Sequence, residues 1–313
     1  MALIRLVAPA KLTLSLSVHR RRPDGYHELT AEMVSVDLYD TLTLDPAGDR
    51  VDVSVASGSP AAGRLDGVDG GPTNLVSRAL AAVALTANVC LVKRIPAGGG
   101  LGGGSSDAAA ILRWARCTDP EVAVSLGADV PFCLAGGRAV VRGVGERVSP
   151  LPYEPRSFVL LHPPLSVDTA AVYRAWDRLN PSGLPSGPGP VETAGPVETA
   201  GPVETAGPVE TAGPVETSGP VETAGPVETA GPLIPGNDLT RAAVIVEPAL
   251  ARWRDLLGER TGVEPMLAGS GSTWFVEGTP RALGVDGVTE LSSRGERAAL
   301  TAVRTVPSDW EPD

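Results

Sequence analysis

Apolar and polar positions alternate imperfectly over residues 3–18, which predicts a strand with Lys11 inside it. Residues 20–27 are polar and include Pro23, Asp24 and Gly25, so a turn follows. Met33, Val34, Val36, Leu38, Leu42 and Leu44 predict one or two strands over 29–44, and 51–55 a short further one. Leu75, Val76, Ala79, Leu80 and Val83 fall at helical spacing, predicting a helix over 73–85 with Thr73 as its N-cap. Residues 89–95 predict a strand closed by Pro96, then a run of glycines opening onto a helix over 108–115. Residues 125–132 predict a turn leading into another strand, and 139–148 and 158–162 predict strands. A helix is expected over 168–179 and another from Asn237-Asp238 through about Leu257. Small residues 268–273 then form a loop between strands. Helical and strand patterns alternate throughout, so the class is α/β or α+β.

Residues 181–235 break this pattern. From Gly189 to Ala230 the hexamer Gly-Pro-Val-Glu-Thr-Ala recurs seven times, with Ser218 the single change. It offers little to a core, and an extended or disordered excursion is expected; a hexapeptide β-helix competes, but a proline in every repeat removes ladder donors. The tract's seven glutamates carry much of the net charge of −11, and the rest is a mildly acidic globular protein. The expected organisation is an N-terminal domain over 1–150 and a C-terminal domain over 151–313, interrupted by the tract.

That acidity argues against nonspecific binding to nucleic acid or an anionic membrane surface. Cys90, Cys117 and Cys133 form an odd set without C-x-x-C spacing, which suits a reducing cytosol rather than a disulfide scaffold or zinc ribbon. No signal-peptide pattern or membrane-length apolar run is present, so a cytoplasmic location is expected. Three histidines, at 19, 27 and 162, suggest no metal cluster. Only Lys11 and Lys93 are lysines among 26 basic residues. Where arginine is the habitual cation, a lysine inside an apolar segment suggests a need for a compact point charge.

The strongest chemical signal is Pro96-Ala97-Gly98-Gly99-Gly100-Leu101-Gly102-Gly103-Gly104-Ser105-Ser106, followed by Asp107 and an alanine-rich helix. Glycines let backbone approach a ligand closely, and a helix N-terminus favours phosphate. Gly98, Gly100 and Gly103 satisfy the dinucleotide spacing on letters alone, but Pro96 interrupts the entry strand and no acidic-ended second strand follows. A Walker loop needs a lysine after its last glycine, and none is there.

Three stretches combine: Ala8-Pro9-Ala10-Lys11-Leu12-Thr13-Leu14, the glycine loop, and Gly269-Ser270-Gly271-Ser272-Thr273. Together they resemble the three motifs of the GHMP kinases, a superfamily of two-lobed small-molecule kinases. Residues 23–29 (Pro-Asp-Gly-Tyr-His-Glu-Leu), 126–132 and Asn237-Asp238-Leu239 are similar to the branch that acts on a cytidine-diphosphate-linked methylerythritol in non-mevalonate isoprenoid synthesis. The resemblance implies a two-lobed α/β fold with the active site in the interlobe cleft. It implies Asp129 as catalytic base, Lys11 as its partner, and Pro96 to Ser106 as the ATP phosphate loop. Tyr26 and His27 would hold the cytosine, with Tyr173 on its other face. ATP would arrive with Mg²⁺, which Ser105 or Ser106 touches. Another kinase of the superfamily, or a catalytically silent ligand-binding descendant, is the rival reading.

The chain departs from the pattern at Thr13, which stands where the branch usually has asparagine, and between Asp107 and Asp129, where it is shorter.

Overall fold

The first alternating segments form one long hairpin. The structure, a computed structural model, describes residues 3–62, 69–181 and 236–312. Strands β1 (Ile4–Arg21) and β2 (His27–Asp45) pair antiparallel, and β2 is one strand rather than two. Gly25 closes the turn with φ +89°, a conformation glycine adopts without a Cβ penalty. The chain continues through β3 (Val51–Val55), α1 (Leu75–Ala82), β4 (Asn88–Lys93), α2 (Gly103–Trp114), α3 (Pro120–Leu126) and α4 (Val130–Ala135). Next come β5 (Arg138–Gly143), β6 (Arg147–Leu151), β7 (Ser157–His162) and α5 (Thr169–Leu179). After the hexamer tract, which lies outside the described residues, follow β8 (Gly236–Asn237), α6 (Thr240–Val246), α7 (Ala249–Thr261), β9 (Met266–Leu267), β10 (Trp274–Glu277), β11 (Glu290–Ser293) and β12 (Glu296–Arg304).

Two sheets result. The first runs β3-β4-β2-β1-β8; β2 is long enough to pair β4 over Thr41–Asp45 and β5 over Leu29–Val34, and β6 follows β5. The second is antiparallel, in the order β11-β12-β7-β10-β9. Leu12, Val34, Ile95, Phe158, Leu160 and Phe275 form one apolar cluster that joins residues of both sheets. The rings of Phe158 and Phe275 meet edge to face at 5.8 Å. Burial of each such side chain contributes about 1.5–3 kcal/mol. This mixed, two-lobed arrangement is the one expected.

Five local expectations are corrected. The strand expected over 139–148 is two, β5 and β6, joined by a turn at 144–146. Asn74, not Thr73, caps α1: its Oδ1 accepts from the Val76 amide at 2.9 Å. The glycine-loop helix α2 begins at Gly103, so Ser105 to Asp107 lie inside it. The strand expected after the 125–128 turn is the helix α4; Pro131 in its first turn suits a helix start, and the short apolar run Val130 to Ala135 fits either element by periodicity. The helix expected from Asn237-Asp238 starts at Thr240 and breaks at Glu247-Pro248 into α6 and α7.

Candidate active site

Lys11 lies in β1 between two register shifts, at Pro9/Ala10 and Thr13/Ser15. Such irregularities re-aim side chains and free an edge. The Lys11 amide donates to the Leu101 carbonyl at 3.0 Å, and the Ser106 hydroxyl donates to the Pro9 carbonyl at 2.6 Å. The glycine loop is thereby bound to the edge of β1. Lys11 is buried, and its stem occupies the space that a Cβ on Gly102 would need, 2.7 Å from Lys11 Cγ. Its Nζ donates to Thr13 Oγ1 at 3.2 Å and lies 3.3 Å from Asp129 Oδ2. Threonine at position 13 therefore keeps a polar partner for the amine.

Asp129 precedes the first turn of α4, and its side chain makes no capping hydrogen bond. The carboxylate is half-buried and turned toward the amine. The shortened segment before it still delivers it to Lys11. Its charge reaches further. Burial pushes the Tyr173 hydroxyl up to about 12, and the Asp129 charge adds to that. Burial likewise pushes the Cys133 thiol up to about 12, again with Asp129 contributing.

Beside this pair lies a hollow of about 380 Å³ lined by Pro96 to Ser105, with Asn74, Lys93 and Asp107. Lys11 and Asp129 are not among its lining residues; the Lys11 stem meets the loop at Gly102. The amides of Gly103, Gly104 and Ser105 open α2, where a helix offers donors and a partial positive charge. Ser105 lines the hollow, whereas the buried Ser106 hydroxyl is bound to Pro9. The third motif is interlocked with the loop: the amides of Ser272 and Thr273 donate to the carbonyls of Gly98 and Gly99. Asn237 Nδ2 donates to the carbonyls of Leu267 and Gly269, and Asp238 Oδ2 accepts from the Val18 amide, so Asn237-Asp238 fastens that loop to β1.

Of the residues expected at the base site, the structure brings two together. His27 is buried and stacks on Tyr173, with centroids 4.9 Å apart and planes at 25°. Tyr26 is 64% exposed and makes no ring contact among the described residues.

Sequence patterns missed a buried triad under the loop. Lys93 Nζ donates to Asp40 Oδ2 at 2.5 Å and to Asp107 Oδ2 at 2.6 Å. Asp40 also accepts from the amides of Arg94 and Ile95. The scarcity of lysine was the one available signal. Burial pulls the Lys93 amine down, but Asp107 and Asp40 outweigh it, and the net direction is up. Burial pushes the Asp107 carboxyl up to about 7; Lys93 opposes this and Asp40 adds to it. Folding then takes up a proton at Asp107. Its stabilising effect is greatest below the unfolded carboxylate value, about 4, and is lost as pH rises through 7. From pH 5.5 to 8.5 the wild type should lose about 2 kcal/mol from this group relative to Asp107→Asn, which has no charge to bury. Thermal melts should show the difference in melting temperature shifting in favour of the variant by roughly 4 °C across that range. A pH-independent difference contradicts a shared buried proton.

No family model matches the chain. The chain is 42% identical over 182 residues to the 4-diphosphocytidyl-2-C-methyl-D-erythritol kinase of Paracoccus denitrificans, covering 58% of this chain and 64% of that protein. It is 43% identical over 197 residues to the enzyme of the same name from Pelotomaculum thermopropionicum, covering 57% and 66%. The matches thus span just under two thirds of these curated relatives. A crystal structure of 4-(cytidine 5'-diphospho)-2C-methyl-D-erythritol kinase superposes with a TM-score of 0.63 and 29% identity, covering 97% of this chain and all of that one. A mevalonate kinase, at a TM-score of 0.50 and 11% identity over 96% and 99%, shares the fold alone. With the three interlocked motifs, these likenesses show the GHMP kinase fold and a chain similar, over just under two thirds of their length, to the 4-diphosphocytidyl-2-C-methyl-D-erythritol kinases.

Proposed function

We propose that the chain transfers the γ-phosphate of ATP to the 2-hydroxyl of 4-diphosphocytidyl-2-C-methyl-D-erythritol, a step in non-mevalonate isoprenoid precursor synthesis. The observation that carries this is the 3.3 Å approach of Lys11 to Asp129 beside the glycine loop. An attacking hydroxyl must lose a proton, and Asp129 is the carboxylate that accepts it. The Lys11 ammonium, 3.3 Å from that acid, steadies the negative charge that develops. The backbone from Pro96 to Ser106 and the start of α2 hold the phosphates. His27 and Tyr173 hold the cytosine, with Tyr26 contributing from the exposed turn.

Among the described residues no three His, Cys, Asp or Glu side chains converge to hold a metal ion. We assign Mg²⁺ to the nucleotide phosphates, with Ser105, which lines the hollow, as the protein hydroxyl facing them. When bound it neutralises phosphate charge. Strands β1 to β6 belong to the first sheet and β7 and β9 to β12 to the second, with β8 alone returning to the first, which supports a domain boundary near residue 150. No helix among the described residues is long and apolar enough to cross a membrane.

Purified protein given ATP, Mg²⁺ and a panel of alcohols tests the reading through ADP release. Turnover confined to the cytidine-linked substrate is expected. Turnover with homoserine or mevalonate favours a different kinase of the superfamily, and nucleotide binding without turnover favours a silent descendant.

A further inference from the structure

His27 Nε2 and Asp177 Oδ1 lie 2.6 Å apart, bridging β2 and α5 across 150 positions of sequence. An ionised carboxylate only accepts, so the proton of the uncharged imidazole sits on Nε2. Nδ1 is then a pure acceptor, and it has no partner among the described residues. The ring cannot turn away from this arrangement. Tyr173 stacks on one face at 4.9 Å, Trp176 meets it edge-on at 5.5 Å, and the side chain is 7% exposed. Arg21 Nε lies 3.9 Å from the other carboxylate oxygen.

A fixed acceptor discriminates between bases that differ only in donor and acceptor. Cytosine carries an amino group at position 4, which donates; uracil carries a carbonyl there, which accepts. A lone pair facing that position binds the first and repels the second. We propose that Asp177 is a positioning residue for base selection: by fixing the His27 tautomer, it commits the site to 4-amino pyrimidine nucleotides over 4-oxo ones. The inference rests on the proposed placement of cytosine at His27. It assigns Asp177 no contact with the base.

The test uses the full chain with CDP and UDP as probes, followed by calorimetry, alongside turnover of the cytidine-linked substrate. The wild type should bind CDP more tightly than UDP by at least about tenfold, the worth of one hydrogen bond made rather than opposed. Asp177→Asn presents either an oxygen or an NH₂ to Nε2, so it no longer dictates the tautomer, and most of the preference should vanish. KM for the cytidine-linked substrate should rise by more than kcat falls. A purely structural tie between β2 and α5 would weaken both nucleotides together and leave their ratio intact. Nitrogen-15 NMR of the wild-type imidazoles, with His27 assigned by loss of its signals in His27→Gln, should show the proton on Nε2; a proton on Nδ1 overturns the proposal independently of any Asp177 variant. A wild type that turns over the cytidine-linked substrate but binds CDP and UDP equally, or an Asp177→Asn variant that keeps the preference, also overturns it while leaving the proposed function in place. A wild type that prefers CDP yet never transfers phosphate overturns the function and leaves the base selection standing.

Discussion

Asp129→Asn should lower kcat by more than about 100-fold, the contribution of a positioned general base. Asparagine fills the same volume and keeps a carbonyl oxygen near Lys11, but it cannot accept the proton of an attacking hydroxyl. It also removes the charge that the Lys11 amine faces at 3.3 Å. The fold should tolerate the change, because the Asp129 side chain is half-exposed and makes no capping hydrogen bond to α4. KM for ATP should move little, since Asp129 does not line the glycine-walled hollow. Steady-state kinetics at saturating ATP, with a thermal melt as the folding control, measures the effect. A kcat near the wild-type value removes Asp129 from the mechanism.

Gly100→Ala should cost both ATP affinity and stability. Gly100 has φ +74°, where an L side chain is strained by about 1–2 kcal/mol. The added Cβ would also stand 2.0 Å from the Ala268 carbonyl oxygen and 2.9 Å from that of Gly271. Both are backbone atoms of the third motif, so no side chain can rotate away. The loops are further tied by the Ser272 and Thr273 amides on Gly98 and Gly99. One loop must move, and the phosphate-facing amides move with it. ATP binding should weaken more than tenfold, by the rough scale on which a misplacement near 1 Å costs 10²-fold. Gly58→Ala is the control: its φ is +69°, but an added Cβ meets nothing within 4 Å. Equal losses in the two variants, by calorimetric ATP titration and thermal melts, contradict the interlocking of the loops.

What was legible in the sequence was local. The β1–β2 hairpin follows from alternation and the Pro-Asp-Gly turn, and the glycine loop from its composition. The α5 helix follows from Asp168, whose carboxylate accepts from the amides of Ala170 and Ala171. Elements too short for a period were not legible: α4 spans six residues and was expected as a strand, and α3 was missed although Asp119 caps it and Pro120 opens it. The candidate site divides in the same way. Lys11 and Asp129 came from motif resemblance, and geometry alone brings them together. The Lys93–Asp40–Asp107 triad draws on β4, β2 and α2, and the His27–Asp177 pair on β2 and α5. Partners that distant leave no spacing in the sequence by which to find them.

The most direct test is a crystal structure of the protein with a nonhydrolysable ATP analogue and 4-diphosphocytidyl-2-C-methyl-D-erythritol bound together. The substrate 2-hydroxyl should lie within about 3.2 Å of the Asp129 carboxylate and in line with the terminal phosphate, with the Lys11 amine beside both. A terminal phosphate seated away from Lys11 and Asp129, with another side chain at the hydroxyl, would contradict the account.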